Sequence, residues 1–181
     1  MESYVVLLRG INVGKNHLLA MSDLKKLLES LNFTQVTTYI RSGNVVMVGK
    51  KMDTVALAQE IQLKLSQLAG FLIPIVIYTG SEFKEIVEKN LSIASRLRDD
   101  QQLILAYQQE EIVDIEALTL SNDVESGWIV KKAVCMQITG PQLESKLLKD
   151  YQKLFKQNDW TLRNWNTSLK LVELIKALDT R

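Results

Sequence analysis

Val36-Thr37-Thr38-Tyr39-Ile40-Arg41-Ser42-Gly43-Asn44-Val45-Val46-Met47-Val48 decides the fold. Two short runs rich in β-branched and aromatic residues flank Arg41-Ser42-Gly43, the pattern of a β-hairpin. Upstream, Leu24, Leu27, Leu28 and Leu31 recur at the spacing of one helix face, with Ser22 as the expected cap. Further upstream, Tyr4 to Leu8 is a continuous apolar run that reads as a buried central strand ending at Arg9-Gly10. Downstream, Leu57, Ile61, Leu65 and Leu68 predict a second helix, begun by Asp53 and stopped by Gly70. Ile73 to Tyr78 is a fourth strand, with Pro74 confined to its start or to an edge because proline cannot donate to a ladder. Strand, helix, hairpin, helix, strand is the βαββαβ order of a ferredoxin-like lobe, placed over residues 1–80. Both apolar helix stripes then pack on the same face of a four-stranded antiparallel sheet.

The second half reads less cleanly. Residues 81–100 form a helical connector, with a helix over 81–89 on a Phe83, Ile86, Val87 face and a charged stretch through Arg98-Asp99-Asp100. Residues 101–181 read as a second, smaller α+β lobe with the related order β-α-β-β-α, closing on a helix instead of a strand. Its parts are a strand at 103–107, a short acidic helix at 110–118 and a hairpin around Lys131-Lys132. After Gly140-Pro141 come a helix through Leu143, Leu147, Tyr151 and Leu154 and a last helix on Leu171, Leu174, Ile175 and Leu178. The fold class is α+β.

The chain has 181 residues, 46% apolar and 24% charged, with eight Gly and two Pro, which excludes collagen-like and disordered classes. Its longest apolar run, Phe71 to Tyr78, falls far short of the roughly 20 residues of a membrane span. Met1-Glu2-Ser3 lacks the basic start of a secretory signal, and a single cysteine, Cys135, allows no intrachain disulfide. These features predict a soluble cytoplasmic protein without a membrane partner.

A net charge of +1 offers no global attraction for nucleic acid, yet the charge is unevenly spread. Residues 99–127 hold eight acidic residues and no Lys or Arg, whereas residues 128–181 hold ten basic and five acidic ones. Catalytic and metal chemistry find little purchase. His17 and Cys135 are the only residues of their types, both read as structural, and nothing supplies the clustered ligands of a zinc site, so no metal or cofactor is expected. Gly10-Ile11-Asn12-Val13-Gly14-Lys15 stands where a phosphate loop would stand. However, three residues separate its glycines where that motif has four, and Asn16 replaces the hydroxyl residue that holds magnesium.

What remains is polar but not acidic, and it clusters in three places. Arg9-Gly10-Ile11-Asn12-Val13-Gly14 follows the first strand, where two glycines let the backbone turn its N–H groups toward a ligand. Thr38 to Asn44 sets Arg41 in a tight turn. Arg163-Asn164-Trp165-Asn166-Thr167 precedes the last helix, with Thr167 as the expected cap. Arg9, Asn12, Gly14, Ser42, Asn44, Lys146, Arg163, Asn164 and Asn166 are the candidate donors, and Trp165 a stacking wall. Forked guanidiniums and amides of this kind suit phosphate and carboxylate. Because these stretches are poor in carboxylates, the Arg163–Thr167 stretch is expected to face the Arg9–Gly14 loop across one external anion.

Leu7-Leu8-Arg9-Gly10-Ile11-Asn12-Val13-Gly14, Met21-x-x-Leu24, Thr38 to Val46, Ser145-Lys146-Leu147 and Arg163 to Thr167 together resemble the bacterial domain-of-unknown-function family 1697. Lys15 stands where that family usually has a second glycine, Arg41 where it has Gln, and Met47 where it has Phe. The resemblance implies an α+β, ferredoxin-like architecture and no known reaction. Three functions follow as expectations. One is a protein that binds, or acts on, a small anionic ligand. A second is a nucleic-acid module, which the fold and the basic segment 128–181 permit. The third is a structural or interaction protein in which the motifs lock the lobes.

Overall fold

The computed structural model describes residues 1–112, 119–155 and 160–179. The chain divides into two compact units, one of Met1–Lys84 with the residues from Lys170 onward, the other Glu85–Leu169.

In the first unit, β1 (Glu2–Leu8), α1 (Met21–Ser30), β2 (Thr34–Tyr39), β3 (Asn44–Gly49), α2 (Thr54–Ala69) and β4 (Ile75–Thr79) follow the expected βαββαβ order. The sheet runs β2-β3-β1-β4, and every neighbouring pair is antiparallel. Tyr4, Val6 and Leu8 of β1 share one cluster with Leu24 and Leu28 of α1 and Leu57, Ile61 and Leu65 of α2, so both helices cover the same face. Each such buried aliphatic side chain contributes about 1.5–3 kcal/mol relative to exposure. The Asp53 carboxylate accepts from the Ala56 N–H at 2.9 Å and caps α2, and Gly70 ends it at φ +78°.

Two local expectations change. The cap position of α1 is Ala20, which has no side-chain acceptor, and Ser22 lies inside the helix. Leu68 lies on the solvent side of α2, because the buried stripe ends at Leu65.

The first unit also takes the C-terminal part of the last helix, α6 (Trp165–Asp179). Asp179 accepts from Lys84 Nζ at 2.6 Å and from the Ser3 hydroxyl at 3.4 Å, tying that end to β1 and to α3 (Gly80–Glu88). The unit boundaries therefore differ from a division at residues 80 and 100: α3 itself is split at Lys84/Glu85.

In the second unit, a short α4 (Leu91–Ala94) leads to β5 (Gln101–Tyr107), β6 (Ser126–Val130), β7 (Ala133–Thr139), α5 (Lys146–Phe155) and β8 (Thr161–Asn164). The sheet order β6-β7-β5-β8, antiparallel throughout, repeats the order of the first unit. A fourth strand, β8, thus stands before the closing helix and adds one element to the expected β-α-β-β-α order. Thr161-Leu162-Arg163-Asn164 pairs with Tyr107 to Ile104, a contact distant in sequence and invisible to local pattern. The acidic helix expected at 110–118 falls largely on residues 113–118, outside the described residues. Leu147, Leu148, Tyr151 and Phe155 form the buried face of α5, so Leu143 and Leu154, expected on that face, are exposed.

Tyr4 to Leu8 and Leu103 to Tyr107 are buried without a break, which places both faces of each central strand out of solvent. Among the described residues no helix is long and apolar enough to cross a membrane.

Candidate functional site

Three connections meet at one end of the first sheet. The Leu8 N–H donates to the Gly43 carbonyl at 2.8 Å, joining the end of β1 to the hairpin turn. The Arg9 N–H donates to the Pro74 carbonyl at 3.0 Å, joining it to the α2–β4 connection. Asn12 then locks the loop. Its Nδ2 donates to the carbonyls of Leu19 (2.9 Å) and Arg41 (2.8 Å), its Oδ1 accepts from the Leu19 N–H (3.0 Å), and its own N–H reaches the His17 carbonyl (2.9 Å). Both amide protons of Asn12 are thereby taken up by backbone, so the residue shapes the loop instead of meeting a ligand.

Gly10 (φ +71°), Asn12 (+55°) and Gly14 (+63°) are left-handed while Ile11 and Val13 between them are not. Such alternation is a backbone pattern that can turn N–H groups toward a common side, although the Asn12 N–H itself is taken by the His17 carbonyl. A Cβ at Gly10 or Gly14 would meet open space, so these two glycines serve backbone conformation and not close packing.

Around this loop the residues 9–20, 40–43 and 70–74 contribute Arg9, Lys15, His17 and Arg41, and no Asp or Glu at all. Lys15 and Arg41 are exposed and Arg9 is half-buried. The other hairpin candidates hold the turn together. Asn44 is fully buried and donates to the Tyr39 carbonyl (3.1 Å) and to the Ser42 hydroxyl (3.0 Å).

The remaining candidates belong to the second unit. Arg163 is 9% exposed, and its Nη1 donates to the Leu162 carbonyl at 2.8 Å. Burial pulls its guanidinium down to about 10, against the opposing effect of Tyr107. Asn164 is the cap of α6: its Oδ1 accepts from the Thr167 N–H at 2.9 Å. That corrects the assignment of the cap to Thr167, whose side chain is buried one turn further on. Trp165 is half-buried and Asn166 exposed at the start of α6. Lys146 is exposed at the start of α5, on an open depression of about 510 Å³ that it shares with Asn122, Glu125 and Thr139.

Nothing in the sequence sets Glu125 apart from the rest of the acidic stretch 99–127. Its side chain is buried at 5% exposure. Burial alone would raise its carboxyl. The Ser145 hydroxyl, the Leu147 N–H (3.1 Å), the Asn122 amide (3.1 Å) and the Thr139 N–H (3.3 Å) together hold it below the usual range. It joins β7 to the start of α5.

Cys135 is fully buried, and its Sγ accepts from the Asn90 amide at 3.3 Å while Trp128 Nε1 donates to the Asn90 oxygen at 2.9 Å. Burial pushes the thiol up to about 12. The native protein is accordingly expected to resist a thiol-specific chromogenic reagent at neutral pH and to react at one equivalent on denaturation. Rapid reaction of the folded chain would contradict this burial. Among the described residues no group of three or more His, Cys, Asp or Glu is placed to hold a metal ion.

Fold and site define a two-unit α+β protein, each sheet in ferredoxin-like order, with a donor-rich, acid-free loop cluster at one end of the first sheet. The chain belongs to the family described as protein of unknown function DUF1697, whose profile matches residues 1–133. The Ser145-Lys146-Leu147 and Arg163–Thr167 motifs lie beyond the matched segment. Among solved structures, the conserved bacterial protein SP0830 from Streptococcus pneumoniae is similar in fold, with a TM-score of 0.78 at 20% identity over 96% of this chain and 98% of that one. Comparison with curated proteins returns no match.

Proposed function

We propose that the protein binds a small phosphate- or carboxylate-bearing ligand at the end of the first sheet formed by residues 9–20, 40–43 and 70–74. The observation that carries this reading is a loop already locked in shape by Asn12. It alternates left-handed residues at 10, 12 and 14 and is ringed by Arg9, Lys15 and Arg41 without a carboxylate in any of the three connections.

The second unit offers an internal comparison. There the Gln108 N–H donates to the Lys132 carbonyl, as the Leu8 N–H does to Gly43, so the same corner exists. Its cations face acids of their own: Lys131 pairs with Glu85, and Lys132 lies 3.9 Å from Glu111. In the first unit the three connections 9–20, 40–43 and 70–74 contain no Asp or Glu of their own.

The nucleic-acid alternative is weaker. Recognition on an open sheet needs exposed aromatic residues on strand faces, and the central strands of both sheets are buried on both faces. In the basic segment Lys131, Lys153 and Lys170 also pair with Glu85, Asp150 and Glu173.

Titration calorimetry with inorganic phosphate and with citrate is expected to give saturable binding to the native chain. Lys15→Ala and Arg41→Ala should each weaken it about tenfold, the scale of one charge-assisted hydrogen bond. Native affinity in both variants, or no saturable heat with either anion, would remove the site.

A further inference from the structure

The same end of the first sheet carries an apolar, ring-bearing rim that anion binding does not explain. Val13, Leu18, Ile40 and Leu72 are 71%, 60%, 52% and 69% exposed, and all four lie in the three connections that hold Arg9, Lys15 and Arg41. Four large apolar side chains left in water around one loop cluster mark a contact surface rather than scattered exposure.

Among them the exposed His17 ring lies flat on Phe71, with centroids 4.5 Å apart and an interplanar angle of 22°. One face of the imidazole is thus held by Phe71, and the other is presented outward. His17 is itself left-handed at φ +53°, and Ile40 at φ +49° is a β-branched residue where the left-handed region is steeply disfavoured. Strain of this kind persists only where the surroundings over-determine it, and it gathers at ligand sites. Asn12 does the over-determining here: it fixes the His17 carbonyl through its N–H and the Arg41 carbonyl, next to Ile40, through its side chain.

Resting on the anion reading above, we propose that the ligand is a phosphate ester of a planar ring system, its phosphate in the Gly10–Lys15 loop and its ring stacked on the outer face of His17. The loop and cations answer the charged end of such a molecule. The His17–Phe71 pair, with Leu18 and Leu72 at its margin, answers the flat apolar end. A bare inorganic anion would use the first feature and leave the second idle. A mononucleotide is the simplest soluble probe of this class.

His17 is the only histidine of the chain, so its imidazole Hε1 signal is unique in a proton spectrum. Inorganic phosphate, ribose 5-phosphate, adenosine and adenosine 5′-monophosphate are titrated in parallel by calorimetry and by that signal. The monophosphate should bind about tenfold more tightly than ribose 5-phosphate, a stacking-sized gain, and should move the Hε1 signal upfield by ring current. His17→Asn keeps a residue that tolerates the left-handed backbone while deleting the ring. It should abolish the tenfold gain and leave ribose 5-phosphate affinity within twofold of the native value. Lys15→Ala should weaken every phosphate probe alike.

If the monophosphate and ribose 5-phosphate bind equally, the ring site is overturned while the anion site stands. Failure of every phosphate probe overturns both. Co-sedimentation with vesicles of anionic phospholipid, in the absence of binding to any soluble phosphate, also overturns the proposal, because the apolar rim would then serve a membrane surface.

Discussion

Gly43→Ala should destabilise the protein by about 3 kcal/mol or more, the largest effect of any single methyl addition at the proposed site. Gly43 sits at φ +76°, and a Cβ there would lie 2.6 Å from Leu8 Cβ and 2.8 Å from Ile11 Cδ1. Neither neighbour can yield cheaply. Leu8 is 1% exposed in the central strand, and its Cβ is fixed by the backbone, while Ile11 is buried beneath the loop. Steric overlap therefore adds to the roughly 1 kcal/mol cost of a left-handed non-glycine residue. The substitution also acts on function, because the Gly43 carbonyl receives the Leu8 N–H that holds the hairpin against β1. Urea unfolding followed by far-UV circular dichroism should show a lower midpoint, with phosphate binding weakened in parallel. A native midpoint would mean that this close approach does not exist.

Glu125→Ala should cost about 3 kcal/mol, because it leaves the buried Ser145 hydroxyl, the Asn122 amide and two N–H groups without their acceptor. The effect should depend on pH in a set direction. The folded-state carboxyl titrates below its ordinary value, so its stabilisation is complete above the unfolded carboxylate range and is lost as pH falls through the folded value. The stability difference between the native chain and Glu125→Gln should then shrink steadily from about pH 6 to about pH 3. All three tryptophans, Trp128, Trp160 and Trp165, belong to the unit that holds Glu125, so their fluorescence reports the relevant transition. A difference independent of pH would show that the carboxylate is not ionised and hydrogen-bonded as described.

Glu125 also shows where sequence reading stops. In a run with eight acids and no base, nothing local separates a buried carboxylate from a solvated one. Its distinction comes from donors brought in by residues 139, 145 and 147, which only the packing of β7 and α5 supplies. Asn12 and Asn44 teach the same lesson at the candidate site. An amide that greets a ligand and one that clasps a loop look identical in sequence, and the partners 7 and 29 residues from Asn12 decide between them.

The first lobe is legible in local pattern alone. Strand and helix periodicities, the Asp53 cap, the Gly70 stop and the Arg41-Ser42-Gly43 turn are all local, and α1 and α2 bury the stripes their patterns mark, Leu68 apart. Tertiary structure alone decided the rest. β8 is four residues long and carries Arg163 and Asn164, so neither length nor polarity marks it as a strand, and its existence depends on pairing with β5 nearly sixty residues away. The acid-free corner was likewise written in three separate connections. They lie together only because hydrogen bonds from Leu8, Arg9 and Asn12 draw them to the same end of a sheet. Such contacts are set by chain topology and close packing, which no window of neighbouring residues contains.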